Sequence, residues 1–407
     1  MRLLLLTQYY PPEIGAPQNR LHELAVRLKS NGVHVEVLTA LPNYPQMTIM
    51  QGYEKRKNRE QIIDGIEVHR SWIYVSKSKG IVARLLNYFS FVWSAYWRGR
   101  QMKSFDFLMV ESPPLFLGYT AMALSRRLKA KLIFNVSDLW PESAEKLGIV
   151  QNQLFLKLAY KLEAQCYHSA TLITGQTQGI VDDITHRFAH QNVYWLPNGV
   201  NIDFYDPVKF DPGDFRFQNG FTDQDILFFY GGIIGHAQGL EVILNAAKLL
   251  SDLTPIQFIL QGSGPEKLRL EKLKTELGLT NVHFLEPVPK SNMPTVLKAI
   301  DIALVPLKKL ALFEGAIPSK IFEALAMEVP LLLGVDGEAK QHFIEKARAG
   351  WYFEPENAND LASVIKTILS NPTSIHEAGK NGRIYVSKHF NRDQIAASLY
   401  EQLKKLS

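Results

Sequence analysis

The 407-residue sequence holds a single cysteine, Cys166. That excludes an intrachain disulfide and any cysteine-cluster metal site, as expected of a reducing, cytoplasmic setting. Nor is there a run of about 20 clean apolar residues to span a membrane. The longest apolar stretch, near residues 81–97, is interrupted by Arg84 and Asn87. The opening residues, Met1 to Thr7, carry too short an apolar run for a leader with a cleavage site, and read as a first buried strand. The dinucleotide fingerprint G-x-G-x-x-G is missing, which removes most support for a nicotinamide dehydrogenase. Low-complexity tracts and short repeats are missing as well. What remains, 46% hydrophobic and 21% charged residues, is ordinary for a packed chain, and the length suits two or three domains.

Net charge is small but unevenly placed. The 45 Lys and Arg against 40 Asp and Glu give +5 overall, yet residues 1–199 carry +8 and residues 200–407 carry −3. From Lys77 to Lys103 there are six basic residues (Lys77, Lys79, Arg84, Arg98, Arg100, Lys103), six aromatics (Tyr88, Phe89, Phe91, Trp93, Tyr96, Trp97) and no acid. As a helix, Arg84, Asn87, Ser90, Ser94 and Arg98 line one side, while Leu85, Phe89, Val92, Trp93 and Tyr96 face elsewhere. Basic flanks around such a helix suit an anionic membrane surface, with Arg84, Trp93, Trp97, Arg98 and Arg100 as contacts. At about 1 kcal/mol per cation, the hold would be reversible. Packing of these aromatics into the core is the competing reading. Nucleic acid is not an expected partner, because no binding module is present and the other half is acidic.

Short aliphatic runs alternate with helical patterns throughout. Arg2–Thr7 precedes a helix from about Gln18 to Ser30, with Leu21, Leu24, Ala25 and Leu28 on one face; Gly32 stops it before a strand at Val33–Thr39. Further strands are expected at Phe107–Val110, Lys131–Asn135, Thr171–Thr174 and Val193–Leu196. After the turn Pro197-Asn198-Gly199 they resume at Ile226–Tyr230, Ile256–Leu260, Val282–Leu285, Asp301–Val305 and Pro330–Leu333. Near-continuous aliphatic strands separated by helices imply parallel sheets covered on both faces. The expectation is an α/β chain of two doubly wound, Rossmann-like domains, 1–199 and 200–407, with ligands at the carboxyl ends of the strands.

Five stretches at such ends carry candidate chemistry. Pro11-Pro12-Glu13-Ile14-Gly15 leads into the first helix. Gly231-Gly232-Ile233-Ile234-Gly235-His236 and Gly262-Ser263-Gly264-Pro265 are glycine loops that let backbone N–H groups approach an anion. In Glu314-Gly315-Ala316-Ile317-Pro318-Ser319-Lys320-Ile321-Phe322-Glu323, Ser319 can cap a helix beside Lys320, and Glu323 lies one turn on. Cation and helix terminus suit a diphosphate, and the carboxylate suits a ribose diol; a plain Lys–Glu surface pair is the bland alternative. Asp138 and Glu142, in Asp138-Leu139-Trp140-Pro141-Glu142-Ser143, are placed for catalysis or sugar binding, unless Asp138 merely caps a turn. Asp223-Gln224-Asp225 spells D-x-D but precedes a strand, so no metal is expected there.

These residues resemble the retaining GT-B glycosyltransferases of family 4 along nearly the whole chain. The likeness rests on Pro11-Pro12-Glu13 with Gly15, Pro197-Asn198-Gly199-Val200-Asn201, Gly262-Ser263-Gly264-Pro265-Glu266 and Pro318-Ser319-Lys320 with Glu323. Asp138-Leu139-Trp140-Pro141-Glu142-Ser143 is most similar to a bacterial subgroup that builds O-antigen, capsule or exopolysaccharide and includes N-acetyl-L-fucosamine transferases. The resemblance implies two domains facing across a cleft, with a terminal helix from about residue 391 packing back on the first. It implies a UDP-sugar donor held by Gly15, Gly232, Gly235, His236, Gly262, Gly264, Glu314, Ser319, Lys320 and Glu323. A lipid-linked saccharide acceptor would meet Pro12, Glu13, Asp138 and Glu142, and catalysis would rest on Lys320, Asp138 and Glu323 without a cofactor. The sequence departs from the family in four places: Ala16 follows Gly15; Ile233 and Gln238 stand where relatives carry Arg and Lys; Gly315, beside Glu314, replaces the first of two paired glutamates; and Asp138 falls where a histidine is common. Two rival readings stay open, a nucleotide-sugar epimerase on the same scaffold and a two-domain sugar-binding protein.

Overall fold

The computed structural model describes residues 1–13, 15–54, 59–78, 80–146, 148, 150–188, 191–212, 215–253 and 255–407. Ile14 of the first loop and Lys79 of the basic segment lie outside them. The chain divides into two compact units, one of Met1–Asn198 with Arg392–Ser407, the other of Gly199–Asn391.

The first unit runs β1 (Arg2–Leu6), α1 (Ala16–Ser30), β2 (His34–Ala40), β3 (Glu60–Ile63), β4 (Ile66–Ser71), α2 (Ile81–Gly99), β5 (Phe107–Ser112) and α3 (Leu117–Leu128). It continues with β6 (Lys131–Val136), α4 (Glu142–Lys146), α5 (Gln153–Ser169), β7 (Leu172–Gly175), α6 (Gln178–Arg187) and β8 (Val193–Trp195). Among the described residues these strands form one sheet, ordered β3-β4-β2-β1-β5-β6-β7-β8 and parallel except at β3/β4. β1 reads as unbroken leucine because both its faces are covered. Leu4 and Leu6 pack with Phe91 of α2 and Leu117 and Leu124 of α3. Leu3 and Leu5 pack with Leu21, Leu24 and Leu28 of α1. Sequence periodicity missed the β3–β4 hairpin, whose turn residues Asp64 and Gly65 both take the left-handed conformation that a tight hairpin demands.

The second unit contains α7 (Phe215–Gln218), β9 (Ile226–Gly231), α8 (Glu241–Leu249), β10 (Ile256–Gln261), α9 (Lys267–Glu276), β11 (Val282–Leu285), α10 (Met293–Ala299) and β12 (Ile302–Pro306). It goes on through α11 (Lys320–Ala326), β13 (Leu331–Gly334), α12 (Glu338–Lys340), β14 (Gly350–Tyr352), α13 (Ala358–Ser370) and α14 (Thr373–His389). Its sheet is parallel, ordered β11-β10-β9-β12-β13-β14. The order reverses between β9 and β12, which makes the loops after these strands the natural place for a ligand.

The terminal helix α15 (Arg392–Leu406) belongs to the first unit. Ala396, Leu399 and Leu403 are fully buried in the cluster shared with α1. Arg27 donates to Asp393 at 2.6 Å, and Arg392 pairs with Glu23 at 2.6 Å. Burying the two leucines is worth roughly 3–6 kcal/mol, enough to hold the helix in place.

Candidate active site

In the second unit the loops after β9 and β10 are bonded to one another. Gly232 donates its N–H to Gln261 at 2.9 Å, Ile234 to Ser263 at 2.9 Å, and Glu266 to Ile234 at 3.1 Å. The approach is so close that a Cβ on Gly262 would stand 1.8 Å from the Gly232 carbonyl oxygen, with φ at +152°. This corrects the expectation of two independent anion cradles. Gly232, Gly262 and Gly264 bring two backbones together, and the Gly232 N–H is already spent. Gly235 leads into a short turn, and α8 begins beyond Gly239 with Glu241 in its first turn. His236 is exposed and its Nδ1 lies 3.0 Å from Glu266 Oε1.

Lys320 opens α11 and reaches the same loop. Its Nζ sits 3.7 Å from the centroid of the Tyr230 ring, and a Cβ on Gly232 would be 3.2 Å from it. Tyr230 is held by its hydroxyl, which donates to the Ile233 carbonyl at 2.5 Å. Among the described residues no hydrogen bond or ion pair reaches the Lys320 ammonium. Burial lowers its pKa to about 7, and the Glu323 carboxylate opposes that shift only in part. Lys320 and Glu323 line a cavity of about 40 Å³ together with Gly231 and Met293. Ser319, in contrast, adopts helical backbone angles and its side chain caps nothing, so the predicted cap is corrected to a helix without one. Glu314 exposes its carboxylate, and its backbone carbonyl accepts from Glu338 at 2.7 Å.

In the first unit, Glu13 is 1% exposed and accepts the N–H groups of Asn43 at 2.8 Å, Tyr44 at 2.9 Å and Tyr10 at 3.2 Å. Burial raises its pKa, while those amides and the nearby Arg70 pull it back. The predicted acceptor contact is therefore corrected: Glu13 faces inward and ties the loop after β1 to the chain after β2. Pro12 beside it is exposed. Gly15 is the residue before α1, whose first turn carries no acid and includes Pro17.

Asp138 follows β6, with Ser143 Oγ donating to its Oδ2 at 2.9 Å. Burial raises its pKa, with the Glu142 carboxylate adding to the effect. Glu142 opens α4 and pairs with Lys146 at 2.5 Å. Sequence reasoning missed the group beneath. Arg20 of α1, itself buried, donates to Glu111 at 2.6 Å and to Ser137 Oγ at 2.8 Å, and Asn135 and Ser137 also donate to Glu111. The available signal was a carboxylate ending the otherwise apolar β5.

The basic aromatic segment forms α2, with two of its polar residues turned inward: Asn87 accepts from Gln8 at 2.9 Å and donates to the Tyr74 carbonyl at 2.6 Å, and Ser94 donates to the Trp72 carbonyl. Val82, Leu86, Phe89, Trp93 and Trp97 form an exposed stripe. Phe91 and Ala95 are buried, so the core takes only part of the apolar content. The expected cations are partly engaged, since Arg98 pairs with Glu60 and Arg100 stacks at 3.8 Å on Trp97, while Arg84 is exposed. From the stripe, Phe89 touches Phe116 (4.9 Å between centroids), and Phe116 touches Trp140 (5.3 Å) of the Asp138 stretch. No described helix is long and apolar enough to cross a membrane.

Comparison with known proteins adds the following. Residues 15–199 match the family model described as glycosyl transferase 4-like domain, and residues 212–385 match glycosyl transferases group 1. The chain is 28% identical over 336 residues to Escherichia coli (strain K12) WcaI, named as a colanic acid biosynthesis glycosyl transferase. That alignment covers 80% of this chain and 81% of the relative. Among solved structures it is similar to sucrose-phosphate synthase from Thermosynechococcus elongatus (TM-score 0.76, 19% identity) and to Anabaena HepE in complex with UDP and glucose (TM-score 0.73, 17% identity). Each match covers 100% of both chains. At these identities the structures speak for the fold, which is GT-B.

Proposed function

The chain belongs to the glycosyltransferases, carrying a 4-like domain followed by a group 1 domain, and from that premise we propose that it moves a sugar from a UDP-sugar to a polyprenyl-diphosphate-linked saccharide with retention of anomeric configuration. The sugar is of the N-acetylated or deoxy kind, N-acetyl-L-fucosamine being one example, and the product is a bacterial surface polysaccharide. The name of WcaI and the UDP held by HepE support this reading.

The observation that carries it is the Lys320 ammonium, packed against Tyr230 and Gly232 and, among the described residues, making no hydrogen bond or ion pair. A diphosphate supplies an anion for it. Charge grows on the diphosphate as the glycosidic bond breaks, so a fixed cation there favours the transition state over the ground state. Glu323 takes the ribose hydroxyls, and Asp138, whose pKa burial raises, serves the acceptor hydroxyl. Glu13 and Gly15 shape the loop that precedes α1. No metal is invoked, because Asp225 of the D-x-D sequence accepts both the N–H and the hydroxyl of Thr222 and so closes a turn.

The exposed stripe on α2 and its aromatic link to Trp140 support an acceptor side that works beside a lipid surface. The enzyme then works at the cytoplasmic face of an anionic membrane. Incubation of the protein with UDP-, GDP- and dTDP-sugars tests the donor assignment. Slow hydrolysis selective for one UDP-sugar, and its loss in Lys320→Ala, is expected; near-normal transfer by that variant would sink the assigned role.

A further inference from the structure

We propose that His34, Glu36, Glu67 and His69 bind a divalent transition-metal ion, zinc by its ligand chemistry, at the amino-terminal end of the first sheet. Strand alternation brings the residues together. Arg2 of β1, His34 and Glu36 of β2, and Glu67 and His69 of β4 share the face on which Leu4 and Leu38 enter the core one step further along. At this end the apolar face gives way to ionisable groups, and Arg98, Gln101 and Met102 border a cavity of about 660 Å³ above them. This is the opposite end of the strands from Asp138, so the site is separate from the proposed transfer chemistry.

Glu36 is the centre of the cluster and is 7% exposed. His34 Nε2 lies 3.1 Å from its Oε1 and His69 Nε2 lies 3.1 Å from its Oε2. One ligand atom each from Glu36, Glu67 and His69 fall within 4.8 Å of one another. Ligands at about 2.0–2.2 Å from a tetrahedral zinc stand roughly 3.3 Å apart, so the histidines need only small movements to share an ion with Glu36. Two imidazoles and carboxylates suit zinc and disfavour magnesium or calcium, which take oxygen alone. Arg2, donating to Glu36 Oε1 at 2.8 Å, then serves as the outer partner that orients the ligating carboxylate. A bound ion would join β2 to β4.

Chelator-treated full-length protein, freed of chelator and titrated with Zn²⁺ against a chromophoric competitor, is expected to take up one equivalent. Glu36→Gln and His69→Ala should each weaken binding by about tenfold or more. His34→Gln, at a half-exposed residue, gives a variant with little folding risk, and its circular dichroism should match the parent. Co²⁺ in place of Zn²⁺ should give visible absorption that the His34→Gln, His69→Gln double variant lacks, while donor hydrolysis stays unchanged in that variant. Zn²⁺ should also raise the thermal midpoint of the parent and not of the double variant. Absence of stoichiometric uptake, or equal uptake by parent and double variant, overturns the assignment and leaves an ion-pair cluster.

Discussion

Replacing Lys320 by methionine should make the ligand-free protein more stable while removing its activity. The depression of the Lys320 pKa from 10.5 to about 7 measures how poorly the folded protein tolerates this charge. A shift of that size corresponds to roughly 5 kcal/mol of destabilisation when the group is charged. Methionine keeps the length of the side chain and forfeits the contact with the Tyr230 face, worth about 1–2 kcal/mol. The net gain is at most roughly 4 kcal/mol, or roughly 8–16 °C in midpoint for a unit of this size. The pH dependence has a definite sign. Below about 7 the native lysine is charged and the penalty is complete. Between about 7 and 10.5 the unfolded chain retains a proton that the native state has released, so native stability rises with pH and the advantage of methionine shrinks. Differential scanning fluorimetry at pH 6 and near pH 10 reads this directly, beside an assay of UDP release. Transfer should fall by about 10²–10³. In the parent, donor affinity should drop by about tenfold per pH unit above pH 7, because the diphosphate binds the protonated form. A lower midpoint for Lys320→Met at pH 6, a gain that persists unchanged near pH 10, or near-parental transfer would refute the reasoning.

Gly262→Ala should cost about 2–4 kcal/mol and at least tenfold in donor affinity, since the clash is with the Gly232 carbonyl, a backbone atom that cannot rotate away; calorimetric titration with UDP checks it. Asp138→Asn should reduce transfer by about 10²–10⁴ while sparing donor hydrolysis. Because burial raises the Asp138 pKa, the acid limb of the parent's kcat/KM should lie above the ordinary aspartate range, with activity appearing as pH rises through it. Leu86→Glu with Trp93→Glu, at positions 51% and 62% exposed, should abolish flotation with anionic liposomes without altering the fold. Failure of the parent to float with liposomes of either lipid charge would remove the membrane assignment.

The sheet strands were legible because each is an aliphatic run bounded by turn residues, and burial on both faces leaves no other use for Leu3-Leu4-Leu5-Leu6. The β3–β4 hairpin escaped notice because its exposed outer positions carry no strict alternation, although Asp64-Gly65 named the turn. Sequence singled out Lys320 by its place at a helix start and Asp138 by its place after a strand. What sequence could not supply was the partner of each group. The glycines looked like ligand contacts, yet Gly262 is required by a neighbouring backbone; Glu13 looked like an accessible carboxylate, yet three amides enclose it. Arg20 and Glu111 lie 91 residues apart and meet only through the packing of α1 on β5.

The inward turn of Asn87 and Ser94 on α2 carries the same lesson into function. An amphipathic pattern states that two faces differ, not which one is turned inward. Here the inward choice was decided by hydrogen bonds. Asn87 pairs with the Gln8 amide and the Tyr74 carbonyl, and Ser94 with the Trp72 carbonyl; without these partners the two buried side chains would be unpaired, at about 1–3 kcal/mol each. With Asn87 and Ser94 committed to the interior, Leu86, Phe89, Trp93 and Trp97 are left facing out. A stripe of that kind is unfavourable in water and calls for a partner. Since Arg98 is already neutralised by Glu60, the attraction to a membrane should rest more on this apolar stripe than on the basic charge that first drew notice to the segment. Flotation should accordingly survive moderate salt, which screens charge, and fail on loss of the stripe.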